Sequence, residues 1–129
     1  MKKWVVFLFC QLFLSHSALA QGTWVNLSKG LDELSIEALA TDPKDPKVIF
    51  AGSERRVYKT ADSGASWKQV LGLRGSDNRV RFIYVDAANS KDVYVCTERG
   101  VYRSRNGGKK WGLFFRGAGD KEKAVFCVQ

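Results

Sequence analysis

Two glutamates, each followed by an arginine, are the residues of this chain whose type and spacing could carry chemistry. Glu54 lies in the stretch Ser-Glu-Arg-Arg and Glu98 in the stretch Thr-Glu-Arg-Gly, 44 residues further on. Enzymes that hydrolyse glycosidic bonds need two carboxyl groups about 5 to 9.5 Å apart. The two stretches occupy equivalent places in a repeat, however, so a Glu-Arg ion pair repeated in two turns is the favoured interpretation. We predict no catalytic residue here and keep as the alternative a glycoside hydrolase whose catalytic residues lie mostly outside residues 21–129.

Two octapeptides offer a second candidate site: TADSGASW at 60–67 and SRNGGKKW at 104–111. An Asp or Asn side chain can accept from the backbone N–H two residues on, a hydroxyl can cap another turn amide, and glycine can take a positive φ. Asn106 keeps the acceptor of Asp62 without its charge, which favours a structural turn over a catalytic or Ca²⁺-binding carboxylate. The predicted structural positions are Thr60, Asp62, Gly64, Ser66 and Trp67 in the first copy, and Ser104, Asn106, Gly108 and Trp111 in the second.

The octapeptides belong to a repeat of 44 residues that determines the predicted fold class. Residues 36–72 align with residues 80–116 without a gap, and eight pairs are identical, among them Tyr58/Tyr102. Each unit holds four short runs of β-branched and aromatic residues joined by turn residues, with no long apolar period of 3.6 residues. Four strands in such a unit match one blade of a β-propeller. We predict an all-β protein with two complete blades, each a four-stranded antiparallel sheet that packs its tryptophan against a neighbouring blade.

Partial units flank the two predicted blades. Residues 24–27, Trp-Val-Asn-Leu, resemble the fourth strand of a unit, and residues 124–129 resemble a first strand. Closed propellers have about four to eight blades, and repeat units are stable only when stacked. We therefore expect 21–129 to be part of a longer propeller, in which 24–27 completes the last blade and 124–129 begins the next. A ring formed by homo-oligomers of a short chain is the alternative.

The first octapeptide resembles the Asp-box, or bacterial neuraminidase repeat, whose pattern is Ser/Thr-x-Asp-x-Gly-x-Ser/Thr-Trp. All its positions match in the first copy, whereas the second copy has Asn106 and Lys110 in place of the Asp and the second hydroxyl. The surrounding sequence is similar to propellers of the sortilin, photosystem II assembly-factor and xyloglucan-cleaving groups. The resemblance covers nearly all of the chain after residue 20 and implies a propeller architecture.

This resemblance does not imply one activity. Sialidases of the superfamily use an arginine triad, a tyrosine and acidic groups, and no such arrangement can be assigned in this chain. Xyloglucan-cleaving relatives use aspartates, one of them in a turn like the one that here contains Glu54 or Glu98. In the assembly-factor relatives the implied role is the chaperoning of a membrane complex.

Residues 1–20 have the pattern of a signal peptide. Two lysines precede an apolar run at 4–14, and Ala-Leu-Ala at 18–20 offers a small-x-small cleavage site. The run is too short for a membrane span of about 20 residues. We expect the mature chain to begin near Gln21 and to be exported to a periplasm or to the outside.

Removal of the signal peptide takes away His16, the only histidine, and leaves Cys96 and Cys127. Without an imidazole, neither a histidine-dependent triad nor a histidine-ligated metal is available, and we predict no metal site and no cofactor. An oxidising compartment permits a disulfide, but two cysteines do not make a framework. We expect two buried thiols, with a mutual disulfide as the alternative.

The chain stays basic after processing, because the loss of Lys2 and Lys3 lowers its formal charge only from +8 to +6. A guanidinium suits carboxylates and backbone carbonyls at interfaces, so we expect an exported, non-catalytic propeller that binds a protein or a glycan. Nucleic acid is not expected, since no stacking aromatics share a basic loop. The possible binding surface comprises Arg55, Arg79, Arg81 and Arg99, with a merely solvated surface as the alternative.

Overall fold

The structure is a computed structural model that describes residues 23, 25–33, 35–75 and 78–117. Eight strands form two four-stranded antiparallel sheets in the orders β1-β2-β3-β4 and β5-β6-β7-β8, which we call the first and the second sheet. This confirms the predicted all-β fold with four-stranded antiparallel units. The strands are β1 Ile36–Thr41, β2 Ile49–Ser53, β3 Arg56–Thr60, β4 Lys68–Gly72, β5 Val80–Val85, β6 Val93–Thr97, β7 Gly100–Ser104 and β8 Gly112–Arg116.

The repeat is preserved in the register of the strands as well as in their order. The first two strands of each sheet carry an irregularity at the same place, between Ile36 and Ala38 in one sheet and between Val80 and Phe82 in the other. The third and fourth strands carry a second one, directly after Val57 in the first sheet and at the equivalent residue of the second. A bulge places one extra residue in a strand and increases its twist. The two sheets therefore share one twisted shape.

The core lies between the two sheets, where β5 packs against β1 and β2. Gly52 makes this approach possible, because a Cβ at this residue would lie only 2.4 Å from Cγ1 of Val80. Strand β5 buries Val80, Ile83 and Val85 here, and the irregularity after Val80 interrupts its alternation. Removal of these side chains from water stabilises the contact between the sheets. The buried cluster consists of Phe50, Val57, Leu73, Val80, Ile83, Val85, Val93 and Val95.

Polar contacts also join the two sheets. Lys59 Nζ donates to the carbonyl of Gly107 at 2.8 Å, and Lys44 Nζ donates to the carbonyl of Ala88 at 2.5 Å. Ser90 Oγ donates to Asp42 Oδ1 at 2.5 Å. One bond joins β3 to the loop at 104–111, and the other two join the turn after β1 to the turn after β5. Together they fix the position of the sheets along the strand direction.

The expectation of a buried free thiol is wrong for Cys96. Its side chain is buried in β6, as expected, but it forms a disulfide. The count of cysteines was the wrong criterion, because a disulfide needs only one suitably placed partner and not a framework. Both other cysteines, Cys10 and Cys127, lie outside the described residues.

Several predicted segments fall wholly or partly outside the described residues. These are the signal peptide at 1–20, Trp24 of the predicted outer strand, and the predicted first strand at 124–129. Residues 25–27 are described and form no strand. The outer strand and the further blade therefore stay predictions.

Candidate functional site

The loop at 60–67 is a closed network of hydrogen bonds around Asp62. Its Oδ1 accepts from the backbone N–H of Ser66 at 2.9 Å and from Thr60 Oγ1 at 2.6 Å, and Ser66 Oγ donates to Oδ2 at 2.6 Å. Thr60 Oγ1 in turn accepts from the backbone N–H of Gly64 at 3.0 Å, and Gly64 has a φ of 91°. The carboxylate thus accepts from an amide four residues on, and not two residues on as expected, because the loop is wider than a simple Asx-turn.

The loop at 104–111 reproduces this network without the charge. Asn106 Oδ1 accepts from the backbone N–H of Lys110 at 2.7 Å and from Ser104 Oγ at 3.0 Å. Ser104 Oγ accepts from the backbone N–H of Gly108 at 2.9 Å, and the φ of Gly108 is 89°. Amide and carboxylate oxygens therefore hold the same loop geometry in the two sheets.

Hydrogen bonds keep Asp62 ionised. The bond from the Ser66 hydroxyl, followed by that from Thr60, lowers the pKa of Asp62 to about 2. A carboxylate whose acceptor sites are filled by donors of its own loop is a poor proton donor at neutral pH and has little free capacity for a ligand. The hydrogen bonds of Asp62 therefore stabilise the shape of the loop.

The two tryptophans differ in their surroundings. The indole N–H of Trp67 donates to the carbonyl of Leu27 at 2.8 Å, and that of Trp111 donates to Gly108 in its own loop at 3.1 Å. Trp111 packs against the core between the sheets, and both tryptophans are half-buried rather than largely buried as predicted. For Trp67 the cause is its position, because the loop of the first sheet lies against the N-terminal segment 25–33.

Arginines and glutamates gather at the edge opposite to these loops, where β2 turns into β3 and β6 turns into β7. Glu54 contacts Arg79 at 3.3 Å, and Glu98 contacts Arg81. The partners lie at the start of β5, Arg79 directly before it and Arg81 within it. The second turn is tied to this place by a bond from Glu98 N to the carbonyl of Arg79 at 3.2 Å. Tertiary structure, and not sequence adjacency, thus selects these ion pairs.

The other two predicted binding residues lie at the same edge. Arg55 and Arg99 are exposed at the tips of the two turns. Their backbone carbonyls accept from the residues directly after β4 and β8, from Leu73 N at 2.8 Å and from Gly117 N at 2.9 Å. We call Arg55, Arg79, Arg81 and Arg99 together the arginine edge.

One polar cluster next to the arginine edge was not found from the sequence. Arg56 contacts Asp32 at 3.4 Å and Glu33 at 3.5 Å, and Glu33 also accepts from the hydroxyl of Ser53. The cluster joins the segment 25–33 to the first sheet. No spacing in the sequence indicates it, because its acids lie outside the repeat.

A second overlooked cluster covers the outer face of the second sheet. The guanidinium of Arg103 lies over the rings of Tyr94 and Phe114, at 5.1 and 5.8 Å, and Asp92 holds it at 2.9 Å. Tyr84 contacts Tyr94 with its ring centroid 6.2 Å away. The signal that could have found it is the repeat itself, since Phe50, the residue equivalent to Tyr94, is buried between the sheets.

Metal ligands and membrane helices were sought in the described part of the chain. Within it, no three His, Cys, Asp or Glu side chains come together as a metal site would require. Among the same residues, none forms a helix of the length and hydropathy that a bilayer crossing demands.

Comparisons with known proteins identify the fold. No protein-family model and no curated protein matches the sequence. Solved structures do match: a GH74 xyloglucanase from Xanthomonas campestris at 23% identity and a TM-score of 0.52, over 58% of this chain and 14% of that one. An ancestral GH74 enzyme matches at 27% identity and 0.54, over 67% and 13%. YCF48 bound to a D1 peptide matches at 19% and 0.53, over 67% and 28%.

The two sheets and these matches define the class of protein. This chain has the all-β fold of a β-propeller, and the described sheets correspond to blades. The chain spans between 13% and 28% of the length of the three structures named above. They comprise enzymes and a peptide-bound protein, so this fold is found with both kinds of function.

Proposed function

We propose that this protein is exported and serves as a non-catalytic β-propeller that binds a protein or glycan partner at the arginine edge. The observation that carries the proposal is the convergence of four arginines and two glutamates on one end of both sheets. Within the described part of the chain the arginines of this edge outnumber its glutamates, and about half of the surface of the Arg79 and Arg81 side chains is exposed. Such an edge suits a partner that presents carboxylates, because a guanidinium can donate two parallel hydrogen bonds to each.

The ion pairs argue against catalysis by Glu54 and Glu98. A glycosidase needs two carboxyl groups that both face the scissile bond. Each of the two glutamates instead contacts a guanidinium, Glu54 that of Arg79 and Glu98 that of Arg81. These ion pairs favour a binding role, because the glutamates hold the arginine side chains in position for a partner.

One of the matched folds supports a protein partner. The YCF48 structure holds a D1 peptide, so a propeller of this general shape binds a peptide in that protein. We extend peptide binding, without its particular sequence, to this chain. The arginine edge would select an acidic segment.

Charge reversal at the turn tips tests this proposal. Binding of a biotinylated poly-glutamate peptide and of polygalacturonate is measured by biolayer interferometry for the full chain, for R55E/R99E and for K109E/K110E. We expect R55E/R99E to weaken binding of at least one probe about tenfold, because two charge-assisted contacts are lost. Lys109 and Lys110 are exposed in the loop at the other end of the strands, so K109E/K110E controls for the same change in net charge. Equal weakening in both variants would show that overall charge, and not the arginine edge, determines binding, and would contradict the proposal.

A glycoside hydrolase is the second candidate, and its support is the match to GH74 enzymes. Release of reducing sugar from xyloglucan by the parent chain, and its loss in E54Q or E98Q, would establish this candidate and refute the non-catalytic proposal. We expect no release from the parent chain.

Export is tested by the N-terminus of the protein. After expression with residues 1–20 present, intact mass should show a chain that begins at or near Gln21 in the periplasm or medium. A full-length chain that keeps Met1 in the cytoplasm would contradict the proposal.

A further inference from the structure

We propose that the guanidinium of Arg56 is a further carboxylate-binding site, and that Asp32 occupies it as an internal ligand which a carboxylate of an acidic peptide partner displaces. The inference deepens the proposed function and rests on it for the chemical class of the partner. Arg56 directly follows Arg55 of the arginine edge in the sequence, so it adds a fifth guanidinium to that end of the sheets.

The side chain of Arg56 is held in place from two sides. Its Nε contacts Glu33 Oε1 at 3.5 Å, and its Nη1 donates to the hydroxyl of Tyr58 at 3.4 Å. Tyr58 is fully buried, and the side chain of Glu33 is only 20% exposed and also accepts from the hydroxyl of Ser53. The direction of the guanidinium is therefore fixed before a ligand arrives, which lowers the entropic cost of binding.

The outer part of the same guanidinium is open to a ligand. Within the described residues, Nη2 has no hydrogen-bond or ion-pair partner, and 36% of the Arg56 side chain is exposed. An arginine can donate two parallel hydrogen bonds to the two oxygens of one carboxylate. Asp32 is the obstacle to this arrangement, because its Oδ2 accepts from Nη1 at 3.4 Å. Loss of Asp32 from this position frees an N–H of Nη1 beside those of Nη2.

Asp32 is held weakly enough to be displaced. Its side chain is 71% exposed, and a single exposed ion pair contributes little to stability. The segment 25–33 does not depend on this contact, since Trp67 donates to the carbonyls of Leu27 and Lys29 at 2.8 and 2.9 Å. The carboxylate of Asp32 can therefore turn into solvent while the backbone of the segment stays in place.

The repeat shows that the turn itself does not require Arg56. The equivalent residue of the second sheet is Gly100, where a Cβ would lie 2.3 Å from the carbonyl oxygen of Phe115. The second turn still closes, because the hydroxyl of Thr97 donates to the carbonyl of Gly100 at 2.9 Å. Of the two described sheets only the first has this guanidinium, which favours a role in recognition over one in turn formation.

The resident contacts define the chemistry of the partner. Arg56 already contacts the carboxylates of two adjacent residues, Asp32 and Glu33, and an acidic peptide segment presents the same groups on the same kind of backbone. A carboxylate of the partner would replace that of Asp32, while its neighbours reach the arginine edge. A partner without carboxylates gains nothing from this exchange, because it would leave a guanidinium without a counter-charge.

Side-chain NMR spectroscopy tests the site itself. A tetraglutamate peptide with blocked termini is titrated into ¹⁵N-labelled protein, and the Nε–H signals of the arginines are followed. We expect the Arg56 signal to shift, with a dissociation constant that falls about three- to fivefold in D32N, because a competing carboxylate is removed. Asp45 is exposed in the turn after β1, at the other end of the sheet. D45N makes the same change in net charge and should lower the constant by less than about twofold.

The same titration separates this inference from the proposed function. A shift of the Arg56 signal without shifts of Arg55 and Arg99 would contradict the arginine edge alone. Shifts of Arg55 and Arg99 without one of Arg56, in the parent and in D32N, would overturn the internal-ligand proposal alone, and no shift of any of them would refute both. An equal gain in D32N and D45N would also overturn the proposal, since net charge would explain it. A shift of Arg56 with polygalacturonate but not with the peptide would refute the acidic peptide as the partner.

A double-mutant cycle tests whether Asp32 acts through Arg56. R56K keeps the charge that contacts Glu33, but a lysine cannot donate the two parallel bonds of a guanidinium. Binding of the biotinylated poly-glutamate peptide is measured by biolayer interferometry for the parent, D32N, R56K and D32N/R56K. We expect R56K to bind about threefold more weakly than the parent, and D32N to improve binding by less than about twofold when Lys replaces Arg56. An improvement as large as in the parent would overturn the proposal.

Discussion

Asp62 and Asn106 occupy the same position in two nearly identical hydrogen-bonded loops and differ by one charge. Both accept from a backbone amide four residues on and from the hydroxyl two residues before. Neutral amide and ionised carboxylate satisfy the same donors, so the loop depends on the acceptor and not on the charge. The charge nevertheless has a consequence, because it makes one loop sensitive to acid.

The acid sensitivity of the first loop is a testable property. The pKa of Asp62 lies at about 2, below its ordinary value of 3.8. The ionised form therefore contributes stability fully above about pH 4, and this contribution is lost as the pH falls towards 2. We expect the melting temperature of the parent to fall more steeply between pH 4 and pH 2 than that of D62N, measured by circular dichroism. N106D is the converse variant and should become more acid-sensitive than the parent. Parallel curves for the parent and D62N would contradict the assignment.

At the scale of elements, the strands and their order were predictable from the sequence, and several contacts were not. Alternating apolar residues and the 44-residue period indicate four strands for each unit, and the structure has them at Ile36–Gly72 and Val80–Arg116. The repeat cannot reveal contacts made by residues outside it. Arg56 with Asp32 and Glu33 is such a case, and so is the contact of Trp67 with Leu27. Partners of this kind follow from the path of the chain in space, which local patterns do not encode.

The segment 25–33 lies against the loop of the first sheet through its backbone. Trp67 N donates to the carbonyl of Lys29 at 2.9 Å, and Gly30 has a φ of 91°. A Cβ on Gly30 would lie 2.3 Å from the carbonyl oxygen of Trp67, a backbone atom that cannot turn away. The close approach therefore requires glycine.

Substitution of this glycine should detach the segment. We expect G30A to lower the free energy of unfolding by about 1 to 3 kcal/mol, from left-handed strain and the lost approach. Urea denaturation measures it. G112A is the matched control, because a Cβ on Gly112 meets nothing within 4 Å. An equal and small effect of both variants would mean that the segment does not contribute to stability.

At the scale of the whole molecule, glycines in the loop of the second sheet allow that loop to pack closely on the first sheet. The loop of the second sheet lies on Phe50, where a Cβ on Gly108 would come within 3.0 Å of the ring. The neighbouring Gly107 also has a positive φ, of 66°, but a Cβ there would meet only the end of the Lys59 side chain, at 3.6 Å. Both glycines have a left-handed backbone conformation, but only a Cβ on Gly108 would crowd a side chain of the first sheet.

Alanine substitutions at these two glycines separate the cost of the left-handed backbone from the cost of disturbed packing between the sheets. We expect G107A to cost about 1 kcal/mol from its left-handed backbone and G108A about 1 to 2 kcal/mol more, because Phe50 must move. Both values come from urea denaturation followed by tryptophan fluorescence. If G108A is no worse than G107A, the loop does not hold the two sheets together.

The two sheets share their strand order and their irregularities at equivalent residues. Sheets that repeat in this way contact each other through two unlike faces, so a stack of them has a direction. Such a stack closes into a ring only if the rotation per step divides a full turn and the step has no rise along the axis. The step between the two described sheets depends on Gly52, where an added Cβ would lie 2.4 Å from Cγ1 of Val80. A side chain at this one residue would therefore force the two sheets apart and change the step.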